Sequence, residues 1–387
     1  MTQMKSMNET TEKSKKVLND NIRWLLSSDI RIKHGKNKGA FYGWKNLNPV
    51  SFPFIYSEIT GYAVTAFSWL YSESGSLAFL AAAKEAYEWI MRNMHSHLLF
   101  ARPSVTNGNN NLSEVFYAFD NGIIMIGLLN LYKVTMDQTF LNSAELMAKE
   151  LIKHFFDGSK LVARLDSSYN GIPNNKEELA KWSTVSGAYH CKLSIGLLEL
   201  SELTKNNLYA NVSNALCDYA KKIQKSNGQF ITNPDSDITY IHPHLYACEG
   251  LIHSGIKQQN DNHYSAGLKG IKWALEKIDA SSGGLVRDTS KDSSEQSDCT
   301  AQLLRLLIIC RPQLEKSYDV SNLNNEIDKL HSRLLDFYIP VGKDQGGMRY
   351  QIALDSVCSW CTMFSTQALG LWNKRNSGNV TDMDYFI

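Results

Sequence analysis

A chain of 387 residues exceeds the usual single domain, so length alone allows two or three. Forty basic against thirty-nine acidic residues leave a formal charge of +1, which removes global electrostatics as a reason to bind nucleic acid or a membrane surface. No apolar run approaches the roughly 20 residues of a membrane span, and the polar start Met1 to Lys16 lacks the apolar core of a secretory signal.

Apolar residues at i, i+3, i+4 and i+7 predict twelve helices, over 8–27, 57–72, 76–95, 119–135, 138–156, 187–204, 207–225, 244–257, 262–278, 296–310, 320–338 and 359–375. Two classes alternate. Even-numbered helices such as GIIMIGLLNLY and TAQLLRLLIIC are apolar nearly all round and read as buried on several sides. Odd-numbered ones such as AELMAKELIKHFF carry regular Lys and Glu and read as having one solvated face. An inner ring of six inside an outer ring of six explains the alternation, and such a repeat overrides the length prior. The expected organisation is a flexible segment 1–17, one ring domain 18–375 and a tail 376–387.

Connections alternate as well. Inner-to-outer links are mostly short (SESGS, TMDQ, TKNN, KQQND), with only RPQLEKSYDVS longer, whereas outer-to-inner links run roughly 15 to 28 residues, well beyond the usual few. Up-and-down helices place all the long loops at one end, where the inner helices begin. Four of those loops carry a strand-like run with an arginine: LLFARPS (Arg102), KLVARLDS (Arg164), GGLVRDTS (Arg287) and GGMRYQ (Arg349, beside Tyr350). Each inner helix opens on polar and aromatic residues: Glu58 and Tyr62; Asp120 and Asn121; Tyr189, His190 and Lys192; His242, His244, Tyr246 and Glu249; Glu295, Gln296, Asp298 and Gln302; Trp360 and Gln367. Six helix N-termini add free N–H groups and positive dipole ends. With the arginines, this mouth is expected to favour a polar, anionic ligand.

The alternating helices, long loops at one end and acidic or aromatic inner-helix starts resemble the six-hairpin (α/α)6 toroid of carbohydrate-active enzymes. That group includes glycoside hydrolases, uronate lyases, N-acylglucosamine 2-epimerases and glucuronyl C5-epimerases. HPHLYACE is similar to the HPxH…E stretch of the 2-epimerase group, with different spacing, and YSEITGYAVTAFSWLY resembles a C5-epimerase helix. The resemblance implies an all-α fold over almost the whole chain and a sugar or oligosaccharide ligand, with a uronate as one form. Epimerisation or elimination beside a carboxylate needs a base, an acid and a cation: Tyr189, His190, His242 and His244 can move protons, and Arg287 or Arg349 can supply charge. Hydrolysis needs two carboxylates, and Glu58, Asp120, Glu249 and Asp298 stand on different inner helices. Trp44, Trp182, Trp360, Tyr62 and Tyr350 offer stacking faces, with Glu58 and the two arginines as further substrate contacts. Each of these residues also has a plainer reading: dipole-facing acids at helix starts, Asp298 as a cap, and aromatics in the core.

Seven cysteines, several within apolar helices (Cys191, Cys217, Cys248, Cys310), read as buried reduced thiols and a cytoplasmic address. Cys358 and Cys361 form a CxxC without a second pair or a βαβ context, so no metal and no cofactor are expected. Two other classes remain open: a non-catalytic glycan-binding or polysaccharide-assembly toroid, and a terpene-cyclase-like enzyme. For the latter, SDCTAQ resembles a DDTA-type motif but has Cys299 at the second acid. The sequence leaves oligomeric state open.

Overall fold

The structure is a computed structural model, which describes residues 2–100, 114–173, 181–232, 237–316, 319–375 and 383–387. Twelve principal helices run through them: α1 Thr2–Ser27, α2 Ser57–Ser74, α3 Leu77–Asn93, α4 Ala118–Thr135, α5 Gln138–Phe155, α6 Ser194–Thr204, α7 Asn207–Lys222, α8 Ile241–Gln258, α9 Asp261–Leu275, α10 Ser297–Ile309, α11 Val320–Leu334 and α12 Ser359–Lys374. A 3-10 turn, Ala188–Leu193, leads directly into α6. The even helices contact one another in order, α2 to α4 to α6 to α8 to α10 to α12, and α12 returns to α2. The odd helices lie outside them, α3 on α2, α5 on α4, α7 on α6, α9 on α8, α11 on α10 and α1 on α12. This is the (α/α)6 toroid. The helix α1 begins at Thr2, so residues 2–17 of the segment expected to be flexible are helical, with Val17 buried and Ser14 Oγ 3.0 Å from His331 Nε2.

Short inner-to-outer links follow from a two-residue device. Met136, Lys205 and Gln259 end their inner helices in the left-handed region, and the next residue caps the outer helix. Asp137, Asn206 and Asn260 accept the first free N–H groups of α5, α7 and α9. Inner helices approach so closely that side chains are excluded: a Cβ on Gly250 of α8 would lie 2.2 Å from the Cys191 carbonyl oxygen. All seven cysteines are free and buried. No helix among the described residues is long and apolar enough to cross a membrane.

The long loops share one construction. After each outer helix the chain turns back through an isolated bridge, and the returning residues Phe41, Leu98, Leu161, Phe230, Leu285 and Met348 are all fully buried. In five repeats the fourth residue of the following inner helix takes the N–H of that returning arm. Thr60 takes Phe41, Asn121 takes Leu99, His244 takes Phe230, Thr300 takes Leu285 and Thr362 takes Met348. Small strands then join neighbouring loops in pairs. β1 (Trp44–Leu47) is flanked by β2 (Val50–Ser51) and β5 (Ser356–Cys358), and β3 (Val115–Tyr117) pairs with β4 (Arg164–Asp166). Tyr240 bridges to Asp288.

Candidate active site

Because five of the six inner helices are locked to their loops at residue four, those helices share a register, with the turn Ala188–Leu193 standing at the start of the sixth, and equivalent residues form layers. The second residues are Glu58, Phe119, Tyr189, His242, Asp298 and Trp360. Glu58, His242, Asp298 and Trp360, from four consecutive inner helices, line a cavity of about 370 Å³. Phe119 and Tyr189 complete the layer as an aromatic arc, 5.3 Å apart, with Trp182 packed edge-on against both and lining the cavity.

The polar arc is ordered by hydrogen bonds. Asp298 Oδ1 accepts the Cys299 N–H at 2.8 Å, and Oδ2 accepts the Trp360 indole N–H at 3.0 Å. His242 Nδ1 lies 3.7 Å from the same Oδ2. Burial pushes the His242 pKa down while Asp298 and Glu249 pull it up, leaving a net fall that keeps the imidazole neutral at pH 7. Glu58, nine-tenths buried, enters the same lining from α2, the inner helix that follows α12 around the ring. Trp44, Phe54, Tyr56 and Tyr350 extend the wall from the loops, with Trp44 6.1 Å and Tyr350 5.6 Å from the Trp360 ring.

Residue six of each helix forms the next layer. Tyr62 and Tyr246 line the cavity with hydroxyls 2.5 Å apart, and both rings pack on Phe364. Lys192 Nζ sits 4.4 Å from the centre of the Tyr246 ring. Three residues of the ninth layer, Glu249, Arg305 and Gln367, join Lys192 and the main chain at Ile387 in a wholly buried polar network.

The cavity therefore gathers Glu58, Tyr62, Trp182, His242, Tyr246, Gln296, Asp298, Arg287, Tyr350, Trp44 and Trp360 from the expected residues. It does not gather the others. His244 is the fourth-layer residue of α8: its Nδ1 takes the Phe230 N–H and its Nε2 meets the Gly270 carbonyl at 2.9 Å, so it faces outward to α9. Asp120 and His190, third residues, are buried and absent from the lining. His190 packs on Tyr189, and neither of its ring nitrogens has a hydrogen-bond partner among the described residues. Tyr189 supports the wall and gives its hydroxyl proton to the Val185 carbonyl. Glu249 lies under the floor. Arg349 is absent from the lining, its main chain bonded to Phe337 and Ser297. Arg164 is buried beside the Pro173 carbonyl, and Arg102 lies outside the described residues. Residues not singled out from sequence, Phe54, Tyr56, Lys181, Ser183 and Tyr240, come from the long loops. No local motif marks them.

One nitrogen of His242, one carboxylate oxygen of Asp298 and the Cys299 sulfur lie within 4.8 Å of one another, an N/O/S donor set of the kind zinc takes. Burial raises the Cys299 thiol well above its ordinary range, which holds it protonated.

Burial also pushes His190 down to about 3, His244 to about 4 and His331 to about 3. Each is neutral when folded and gains a proton near pH 6.5 once unfolded. Stability is thus held above pH 6.5 and lost as pH falls toward 4, by up to about 1.4 kcal/mol per pH unit for each histidine. Urea unfolding measured between pH 7 and 4.5 should show this slope, and His190→Phe should remove one histidine's share of it.

A model of glycosyl hydrolase family 47 matches residues 81–276, half of the chain, from α3 to the end of α9. The chain belongs to glycosyl hydrolase family 47. It is a carbohydrate-active enzyme. The family 47 segment carries Trp182, His242 and Tyr246, while Glu58, Asp298 and Trp360 lie outside it. No curated protein matches the sequence. Among solved structures, a sugar epimerase from a ruminal bacterium is similar at 14% identity and TM-score 0.75, over 95% of this chain and 99% of that one. Cellobiose 2-epimerase from Bacillus thermoamylovorans B4167 is similar at 14% identity and TM-score 0.75, over 93% and 100%. Unsaturated glucuronyl hydrolase from Bacillus sp. GL1 follows at 12% identity and TM-score 0.69, over 95% and 98%. At such identities these likenesses establish the toroid alone.

Proposed function

We propose that this protein hydrolyses a glycosidic bond with Glu58 and Asp298 as its two carboxylates. One observation carries the reading: the acids come from α2 and α10, the inner helices on either side of α12 and its Trp360, and line a single aromatic-walled cavity. A sugar ring stacked on the indole then has a carboxyl group at each side, the arrangement in which one donates a proton to the leaving oxygen and the other acts on water or the anomeric carbon. Asp298, fixed by two N–H groups and backed by His242, suits the second task. Glu58 takes the first. The test is ¹H NMR of the anomeric region with a panel of aryl glycosides and oligosaccharides. Release of a new reducing sugar supports hydrolysis, and the first-formed anomer tells inversion from retention.

A second reading, epimerisation, draws on neutral His242, a base able to take a proton from carbon. Reaction in D₂O separates the two, since epimerisation leaves deuterium on carbon and hydrolysis does not. The uronate form of the substrate rests on Arg287 and Lys181 in the lining, although Arg287 Nε already donates to Asp288 at 2.6 Å. Arg287→Ala should raise KM for a glucuronide at least tenfold beyond any rise for the matching glucoside. Equal changes remove the anionic substrate.

A further inference from the structure

Trp44, Tyr350 and Trp360 wall a second space. A groove of about 430 Å³ opens beside these rings, so the same three aromatics belong to both the cavity and the groove. Its floor is the β1–β5 pair. Trp44 lies opposite Cys358 and Asn46 opposite Ser356, and alternation along the strands puts all four side chains on one face of the sheet. Lys45 and Val357, the intervening pair, face the other way; Lys45 is buried there against Asp344. The groove is thus built from flat aromatic faces with an amide, a hydroxyl and one carboxylate (Asn46, Ser356, Asp355) at its edges.

Apolar ring faces with a few hydrogen-bonding groups at the rim are what a pyranose presents in complement: C–H faces to stack and equatorial hydroxyls to bond. We infer that this groove is a second sugar subsite, so that the substrate is an oligosaccharide with one ring in the cavity and a neighbouring ring against β1 and β5. This rests on the glycosidase reading of the cavity. The charge is divided between the two spaces. Glu58, Asp298, Arg287 and Lys181 line the cavity, whereas Asp355 is the only charged lining residue of the groove among the described residues. A uronate is repelled there, and the second ring is a neutral sugar.

The experiment is calorimetric titration of wild type, Ser356→Trp and Leu354→Trp with methyl glucoside, methyl mannoside and their disaccharides and trisaccharides. Leu354 is an exposed rim residue, so its variant keeps the fold if Ser356→Trp does not. In wild type a disaccharide should bind at least tenfold more tightly than its monosaccharide, and filling the groove should abolish that advantage while monosaccharide affinity stays within twofold. An unchanged ratio in the filled variants, or equal weakening of both ligands, overturns the subsite and leaves the cavity reading standing. Failure of every sugar to bind wild type overturns the cavity reading, and the subsite falls with it.

Discussion

Glu58→Gln should lower turnover of a cleavable glycoside by about 10²–10⁴, the usual worth of a positioned proton donor, while substrate affinity stays within a few-fold. The amide keeps the shape of the acid at a site nine-tenths buried, so the packing of the cavity wall is kept and only the ionisable proton is lost. Asp298→Asn should behave differently. Both of its oxygens accept hydrogen bonds, from the Cys299 N–H and the Trp360 indole N–H. An amide can accept at only one position, and its NH₂ must then face a donor. Trp360 loses its tether, so KM rises as well as kcat falling. Steady-state kinetics with a direct binding measurement separate the two outcomes. A Glu58→Gln enzyme that keeps more than a tenth of its turnover removes Glu58 from the chemistry.

The different roles of these residues explain how much the sequence could reveal. The ring was legible because burial leaves a compositional mark: α4, α8 and α10 are apolar nearly all round, while α5, α7 and α11 have one charged face. The end bearing the mouth was legible because long loops join only the starts of inner helices. Which residue of each cluster faces the cavity was not. At about 100° per residue, Tyr189 and His190, or His242 and His244, point in different directions, and polarity alone does not choose between them. The missing signal was the common register. Aligning the inner helices on Thr60, Asn121, His244, Thr300 and Thr362, each bonded to its returning loop, puts Glu58, His242, Asp298 and Trp360 in one layer. The same alignment assigns His244 to the loop lock and Glu249 to the floor. The loop residues Trp182 and Tyr240 reach the cavity through long-range packing, which no helical periodicity encodes.

That floor supports the largest expected effect on stability. Glu249 is fully buried and accepts from Lys192 Nζ at 2.7 Å and from Arg305 at 2.8 Å, so one carboxylate balances two cations at the centre of the ring. Arg305 also donates to Gln367 at 2.5 Å, and both cations donate to the Ile387 main-chain oxygen. Glu249→Gln keeps the shape and removes the buried carboxylate charge that both cations share. Breaking a buried pair in this way costs about 3–5 kcal/mol, a large share of the ~5–15 kcal/mol that holds a typical protein folded. Lys192 gives the loss a pH signature. In the wild type burial pushes it down to about 8 despite Glu249, which pulls it up. Without Glu249 it falls further. An amine whose folded pKa lies below its unfolded value adds stability as pH rises through the folded pKa, because the unfolded chain still binds the proton. The variant begins that climb below pH 8 and the wild type only near it, so the deficit should shrink as pH is raised from 6 to 8. Urea unfolding across that range checks it: a deficit under 1 kcal/mol, or one that does not narrow with pH, would show that the network carries no such charge imbalance. Replacing Glu249, Lys192 and Arg305 together with leucine and methionines should recover most of the loss, since an apolar set of similar volume has no charge to compensate.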